Sequence, residues 1–331
     1  MIITRTPFRI SFFGGGTDYP TWYEKHGGAT LSTTIDKYCY ITVRHLPPFF
    51  EVKNRIVWSK IELVDSHDEI EHPSVRETLK HLGIDKGVEV HHAGDLPARS
   101  GLGSSSSFTV GLLHALHVLL SKPITKMGLA KDAIHIEQNL IKECVGSQDQ
   151  MAAAFGGLNK FTFSKSGELS AEPVALSDER SQELQKHLML VFTGMARTAS
   201  EVAQEQVKTT HEKEGELKAM QAMVDRAIDI LKSEEDVKEF GRLLHETWMI
   251  KRGLTGKITN SKVDSIYDKA RGAGAIGGKL LGAGNGGFML LFVPPEKQAA
   301  VRAMLKDLVI VPFRFEDGGS QMIYHQNGSA L

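Results

Sequence analysis

The sequence predicts an α+β protein of two domains. Its 331 residues are about twice the ~150 residues typical of one domain. Strand-like and helix-like stretches mix without a regular βαβ alternation. A polar run rich in Ser, Asp and Glu at 177–186 separates two apolar halves, which places the expected domains at 1–183 and 184–331.

In chain order, residues 1–13 read as a half-buried strand, because Phe8, Ile10 and Phe12 alternate with Arg9 and Ser11. Arg9 then points away from the apolar face. A glycine-rich turn at 14–20 leads to β-rich segments at 29–35, 38–45 and 55–64, expected to share one sheet. A short helix at 73–82 precedes a strand at 87–92. Two longer helices follow, 104–121 with Phe108, Leu112, Leu113, Leu116, Leu119 and Leu120 on a helical period, and 126–142. A strand at 187–192 opens the second half. Three apolar stripes then predict helices: Leu217, Met220, Val224, Ala227 and Leu231; Val237, Phe240, Leu244 and Trp248; Val263, Ile266 and Ala270. Strands at 287–293 and 310–315 flank a helix at 296–308.

Lys and Arg number 39 against 40 Asp and Glu, a net charge of -1, so no overall field favours nucleic acid or an anionic membrane. Two cysteines, Cys39 and Cys144, are too few for a disulfide scaffold and point to a reducing compartment. No stretch reaches the roughly 18 apolar residues of a membrane span. The expectation is a cytoplasmic protein whose anion binding is local.

The stretch Leu96-Pro97-Ala98-Arg99-Ser100-Gly101-Leu102-Gly103-Ser104-Ser105-Ser106-Ser107 runs into an apolar helix. Glycines without Cβ let a phosphate approach the backbone, and a helix start offers unpaired N–H groups. A serine N-cap is the plain reading, but four serines exceed what one cap needs. It is not a Walker A loop, since GxxxxGK[ST] occurs nowhere in the chain. On the next helix Glu137 falls seven residues after Ala130, inside the apolar stripe, where a carboxylate is costly unless paired or metal-bound. Both readings stand, a Mg²⁺ ligand and a buried salt bridge. Ser147 and Gln150 fit a capping box, with Asp149 in the first turn of the helix it opens.

A third bare stretch runs from Gly277 to Gly287. Two GxGxxG matches, beginning at Gly272 and Gly282, fail as dinucleotide fingerprints, because one follows a helix and the other runs into a strand. His114 and His117 lie on an apolar helix without acidic or cysteine partners and read as buried or rim histidines. Lys251, Arg252 and Lys257 read as a solvated helix end, and Arg197, just after a strand, as a residue that could meet an anion.

Taken together, Thr6 to Tyr19 with its Gly14-Gly15-Gly16-Thr17-Asp18 turn, the Gly-Leu-Gly-Ser-Ser segment and the loop from Lys279 to Gly287 resemble the three motifs of the GHMP small-molecule kinases, in order and spacing. Within that family, the Phe-Phe-Gly-Gly-Gly-Thr-Asp-Tyr-Pro opening and the run Ser32-Thr33-Thr34-Ile35-Asp36-Lys37 resemble the branch acting on heptose 7-phosphate at C1. The resemblance implies a ribosomal protein S5 domain 2-like N-terminal domain and a ferredoxin-like C-terminal domain, with ATP and a sugar phosphate in the cleft between them. It assigns Gly101, Leu102, Gly103, Ser104, Ser105, Ser106 and Ser107 to the triphosphate and Ser105 and Glu137 to Mg²⁺. Asp149 matches the catalytic aspartate, Arg9 its basic partner, and Asp18 a ligand of sugar hydroxyls. Gly15, Gly16, Thr17, Arg197, Gly282, Ala283 and Gly284 complete the expected acceptor site. Galactokinase has Glu-His where this chain has Gly15 and Gly16, which makes room for a bulkier or phosphorylated sugar. Lys37, Arg99 and Arg197 are the candidates for its distal phosphate. Other readings are a fucokinase- or galactokinase-like 1-kinase and a catalytically silent sugar and nucleotide sensor; the retained Asp149 and serine loop favour the enzyme. A homodimer is left open.

Overall fold

The computed structural model describes residues 1–194 and 199–326. Its first sheet has nine strands built around one long strand, Gly28–His45, which joins the two β-rich segments expected separately. One edge of that strand runs antiparallel along Ile2–Phe13. Three short strands tile the other edge: Asn159–Phe163 on residues 28–32, Phe315–Glu316 on Thr34 and Ile35, and Val88–Gly94 on residues 39–45. The segment expected at 55–64 is a hairpin, Asn54–Val57 with Ile61–Val64, and its first strand lies parallel to Val88–Gly94.

The helix Ser104–Leu119 crosses Ile2–Phe13 and Gly28–His45. Gly111 permits this close approach, since a Cβ there would lie 2.7 Å from Thr6 Oγ1, and Thr4 Oγ1 donates to the Gly111 carbonyl at 2.9 Å. The next helix runs only over Lys126–His135 before a single π turn, Ile136–Leu140. One extra residue in that turn shifts the apolar stripe. Ile136 and Glu137 are buried, whereas Leu140, expected inside, is exposed.

The second sheet is antiparallel, in the order Val309–Val311, Leu188–Phe192, Phe288–Phe292, Gly277–Leu280. The three expected apolar stripes are buried on Glu214–Lys232, Lys238–Arg252 and Ser261–Gly272. Phe240 wedges the lobes together: its ring meets Phe12 and Phe13 edge-on at 5.3 and 5.1 Å and lies tilted to Phe292 at 6.5 Å. One apolar core therefore spans both sheets.

The expected division at 183/184 is not a single cut. Phe315–Glu316 and Gln321–His325 leave the second lobe and pair with Gly28–His45 and Ile2–Phe13. The polar run expected to separate the two halves is itself a helix, Asp178–Lys186, capped by the Ser177 hydroxyl.

Candidate active site

The serine loop opens its helix without a side-chain cap. Gly103 (φ 73°) occupies the N-cap, in place of the expected serine, because a left-handed backbone suits glycine. Ser104 Oγ accepts from Arg99 N at 3.1 Å, and Ser107 Oγ donates to the Pro7 carbonyl at 2.9 Å. The N–H groups of the first turn thus have no capping side chain, which is the arrangement that suits an anion.

Beside this helix start, Arg9 grips Asp149 in a bidentate pair, Nε to Oδ1 at 2.7 Å and Nη2 to Oδ2 at 2.8 Å. Its third nitrogen, Nη1, donates to the Gly101 carbonyl at 2.6 Å. A Cβ on Gly103 would lie 3.2 Å from Arg9 Cγ and 3.4 Å from Asp149 Oδ2. Glycine there lets the pair sit flush against the helix N-terminus.

Asp149 stands in the first turn of Gln148–Phe155, but the expected capping box does not form. Gln150 Nε2 is drawn instead to Glu137 Oε2 at 2.5 Å, and Ser147 Oγ accepts from Gln138 Nε2 at 3.1 Å. Glu137 is fully buried and also accepts from Ser106 Oγ at 2.9 Å, while its other oxygen, Oε1, has no hydrogen-bond partner. Burial pushes its carboxyl up to about 7. No cation pairs with Glu137 among the described residues, so the salt-bridge reading fails. Ser106 touches Glu137, whereas Ser105 is exposed at the cavity wall.

Asp18 is buried as well, accepting from Gly16 N at 2.9 Å. Burial raises its pKa, and the charge of Asp149 adds to the effect. Gly146 is required beside it, since a Cβ there would fall 1.9 Å from Asp18 Oδ2.

The glycine-rich third loop backs the serine loop. A Cβ on Gly282 would lie 2.5 Å from Gly101 Cα, one on Gly101 would lie 2.4 Å from the Leu281 carbonyl, and Phe288 N donates to the Ser100 carbonyl at 3.0 Å. The three bare stretches therefore converge on one cavity of about 240 Å³. Arg9, Gly15, Gly16, Asp18, Gly101, Gly103, Ser104, Ser105, Ser106, Asp149, Gly282 and Ala283 line it.

Five expected site residues among those described do not. Glu137 lies buried behind Ser106, which does line the cavity. Leu102 is buried under the loop and its carbonyl accepts from Arg9 N; Ser107 is tied to Pro7; Thr17 Oγ1 donates to the carbonyls of Gly14 and Ala29 to close the first turn; and Gly284 packs its backbone on Ile258. Of the distal-phosphate candidates, Arg99 lines the cavity, Lys37 is paired with Asp36, and Arg197 lies outside the described residues. His114 and His117 are half-buried as expected, but His117 Nε2 lies 4.0 Å from Asp132 Oδ2, an acidic partner not expected from the sequence; no cluster of three metal-ligating side chains occurs among the described residues.

Two lysines lining the cavity were not anticipated. Lys251, read from sequence as part of a solvated helix end, is 5% exposed, and Lys279 is 1% exposed. Charge neighbours along the sequence, Arg252 and Lys257, hid the first; the helix stripe of Leu244 and Trp248 offered a signal, since Lys251 follows Leu244 by seven residues.

Family models for the GHMP kinases N terminal domain and the GHMP kinases C terminal match residues 72–157 and 219–310. A D-glycero-alpha-D-manno-heptose 7-phosphate kinase of Campylobacter jejuni is 30% identical over 92% of this chain and 94% of its own length. The chain belongs to the GHMP kinases. Among solved structures, this GHMP kinase is similar to a D-glycero-D-manno-heptose 1-phosphate kinase from Bacteroides thetaiotaomicron, with a TM-score of 0.81 at 26% identity over 99% of this chain and 100% of that one. It also resembles a putative sugar kinase from Campylobacter jejuni, with a TM-score of 0.71 at 26% identity, covering 97% and 98% of the two chains. The family phosphorylates alcohol groups with ATP, so this GHMP kinase is a phosphotransferase. Among the described residues, no helix is long and apolar enough to cross a membrane.

Proposed function

We propose that this GHMP kinase transfers the γ-phosphoryl group of ATP to the anomeric hydroxyl of D-glycero-α-D-manno-heptose 7-phosphate, in the cytoplasm. The product is the 1,7-bisphosphate, which would supply nucleotide-activated heptose for surface polysaccharide. The observation that carries the reading is the Arg9–Asp149 pair, set at an uncapped helix start in one cavity with Asp18. The full-length similarity to a heptose 7-phosphate kinase supports the choice of acceptor.

The roles follow from position. N–H groups at the start of Ser104–Leu119 and the bare backbone of Gly101 and Gly103 hold the triphosphate. Arg9 fixes both oxygens of Asp149 in one plane, so that the carboxylate meets the C1 hydroxyl in a single orientation. That proton passes to Asp149 as the oxygen bonds to phosphorus and the bond to ADP breaks. Asp18 receives a sugar hydroxyl, and Gly15 and Gly16 leave the acceptor room.

Glu137 and Ser106 fit a hard cation, offering one buried carboxylate with an unpartnered oxygen and one hydroxyl. Mg²⁺ held there would neutralise charge on the β- and γ-phosphate oxygens.

An ADP-release assay over a panel of acceptors tests the reading. Heptose 7-phosphate is expected to give the highest kcat/KM, with ³¹P NMR showing an anomeric phosphate. An equal or higher kcat/KM with fucose or galactose would move the acceptor to that sugar.

A further inference from the structure

Lys251 and Lys279 bring two ammonium groups into the cleft with no carboxylate within ion-pair distance among the described residues. Lys251 Nζ donates to the Gly282 carbonyl at 2.6 Å and Lys279 Nζ to the Phe12 carbonyl at 2.8 Å. An ammonium carries three donors, so a single neutral acceptor leaves most of each charge unanswered. Buried cations without a counter-ion are expensive, and proteins keep them where an anion arrives.

We propose that Lys251, backed by Lys279, grips a phosphoryl group of the bound substrates from beside the serine loop. Lys251 ends the helix Lys238–Arg252, and its carbonyl partner, Gly282, touches Gly101, whose own carbonyl receives Arg9 Nη1. The ammonium therefore stands beside the reaction centre on an element of the C-terminal lobe, while the triphosphate cradle belongs to the N-terminal lobe. Burial, with Arg9 adding and Asp18 and Asp149 opposing, lowers Lys251 to about 8; burial lowers Lys279 well below the usual amine range, with Lys251 and Arg9 adding. An arriving phosphate dianion supplies the missing counter-charge.

The inference rests on the kinase reading, and two sources of the phosphoryl group share this chemistry: the 7-phosphate of the acceptor and the γ-phosphoryl group in transfer. Protein loaded with excess ADP is titrated with inorganic phosphate at constant ionic strength. Phosphate is expected to raise the Tm of the wild type and of Lys251→Arg, and not of Lys251→Met. Without phosphate, Lys251→Met is expected to be no less stable than wild type, since it removes an uncompensated buried charge.

Kinetics distinguish the sources. If the ammonium meets the acceptor's phosphate, Lys251→Met raises KM for heptose 7-phosphate at least tenfold and leaves KM for the unphosphorylated sugar unchanged. If it meets the group in transfer, kcat falls at least tenfold for both acceptors. A phosphate-induced rise in Tm that survives in Lys251→Met, with kcat and both KM values within twofold of wild type, overturns the proposal and leaves the lysine a strut for Gly282. Should no sugar 7-phosphate be a substrate, the heptose reading fails alone, and the phosphate titration still decides the role of Lys251.

Discussion

Arg9 and Asp149, 140 positions apart, meet through two parallel hydrogen bonds of 2.7 and 2.8 Å, with the guanidinium 5% exposed and the carboxylate 26% exposed. The buried partner is the holder and the more open one faces the cavity. Asp149→Asn is expected to keep the fold and lower kcat by roughly 10²- to 10⁴-fold, the range of general acid–base groups. Arg9→Lys cannot reproduce the fork and is expected to cost on the order of tenfold to a hundredfold. Combined, the two changes should cost little more than Asp149→Asn alone, because the residues act as a unit. Steady-state ADP release measures all three; additive losses would separate their roles.

Glu137 makes the ligand-free protein's stability depend on pH. Its carboxyl is raised from 4.5 to about 7 by burial, so the folded state prefers the protonated form. The stabilisation is fully present below about 4.5 and is lost as pH rises through about 7, an effect on the order of 3 kcal/mol. Glu137→Gln removes the dependence. Thermal unfolding without metal is expected to show the variant more stable than wild type at pH 8 and equal to it at pH 4, while turnover falls at least a hundredfold. A constant Tm difference between the two pH values would contradict this.

The third prediction concerns the two loops that lie backbone to backbone. Gly101 (φ 85°) and Gly282 (φ 72°) have no room for a Cβ, whereas Gly83 (φ 64°) has nothing within 4 Å of one. Gly83→Ala should therefore cost only about 1 kcal/mol, for the left-handed backbone. Gly101→Ala and Gly282→Ala should each cost roughly 3 kcal/mol or more in urea unfolding, since backbone strain and steric overlap add. Both should also raise KM for ATP. Equal costs at all three positions would show that the loops do not need their close contact.

Local pattern reached the elements whose burial follows from spacing. Phe8, Ile10 and Phe12 are buried, but so are Arg9 and Ser11 between them, so the strand expected to be half-buried is covered on both faces; the stripes of the three long helices face the core as their period requires. The inward position of Glu137 was legible for the same reason. The missed features depend on partners far away in sequence. Gly277–Leu280 pairs as a strand although glycine disfavours strands, because a Cβ on Gly277 would lie 1.9 Å from the Gly241 carbonyl of the neighbouring helix. Gln150 left its capping role for Glu137, and Lys251 is buried with its ammonium on the Gly282 carbonyl, 31 residues further along the chain. Glycine-rich motifs marked where the backbone comes close; they did not say that much of that closeness is loop against loop.

The pairing of Gln321–His325 with the opening strand has a consequence for synthesis. Ile2 finds its partner His325 only after more than 300 further residues have been made, and at 5–20 residues per second this takes roughly 15–60 s. Throughout that interval the outer edge of the first strand is bare, an adhesive margin for other chains emerging nearby. The enzyme's nascent form should therefore depend on a chaperone's shelter far more than the finished one does.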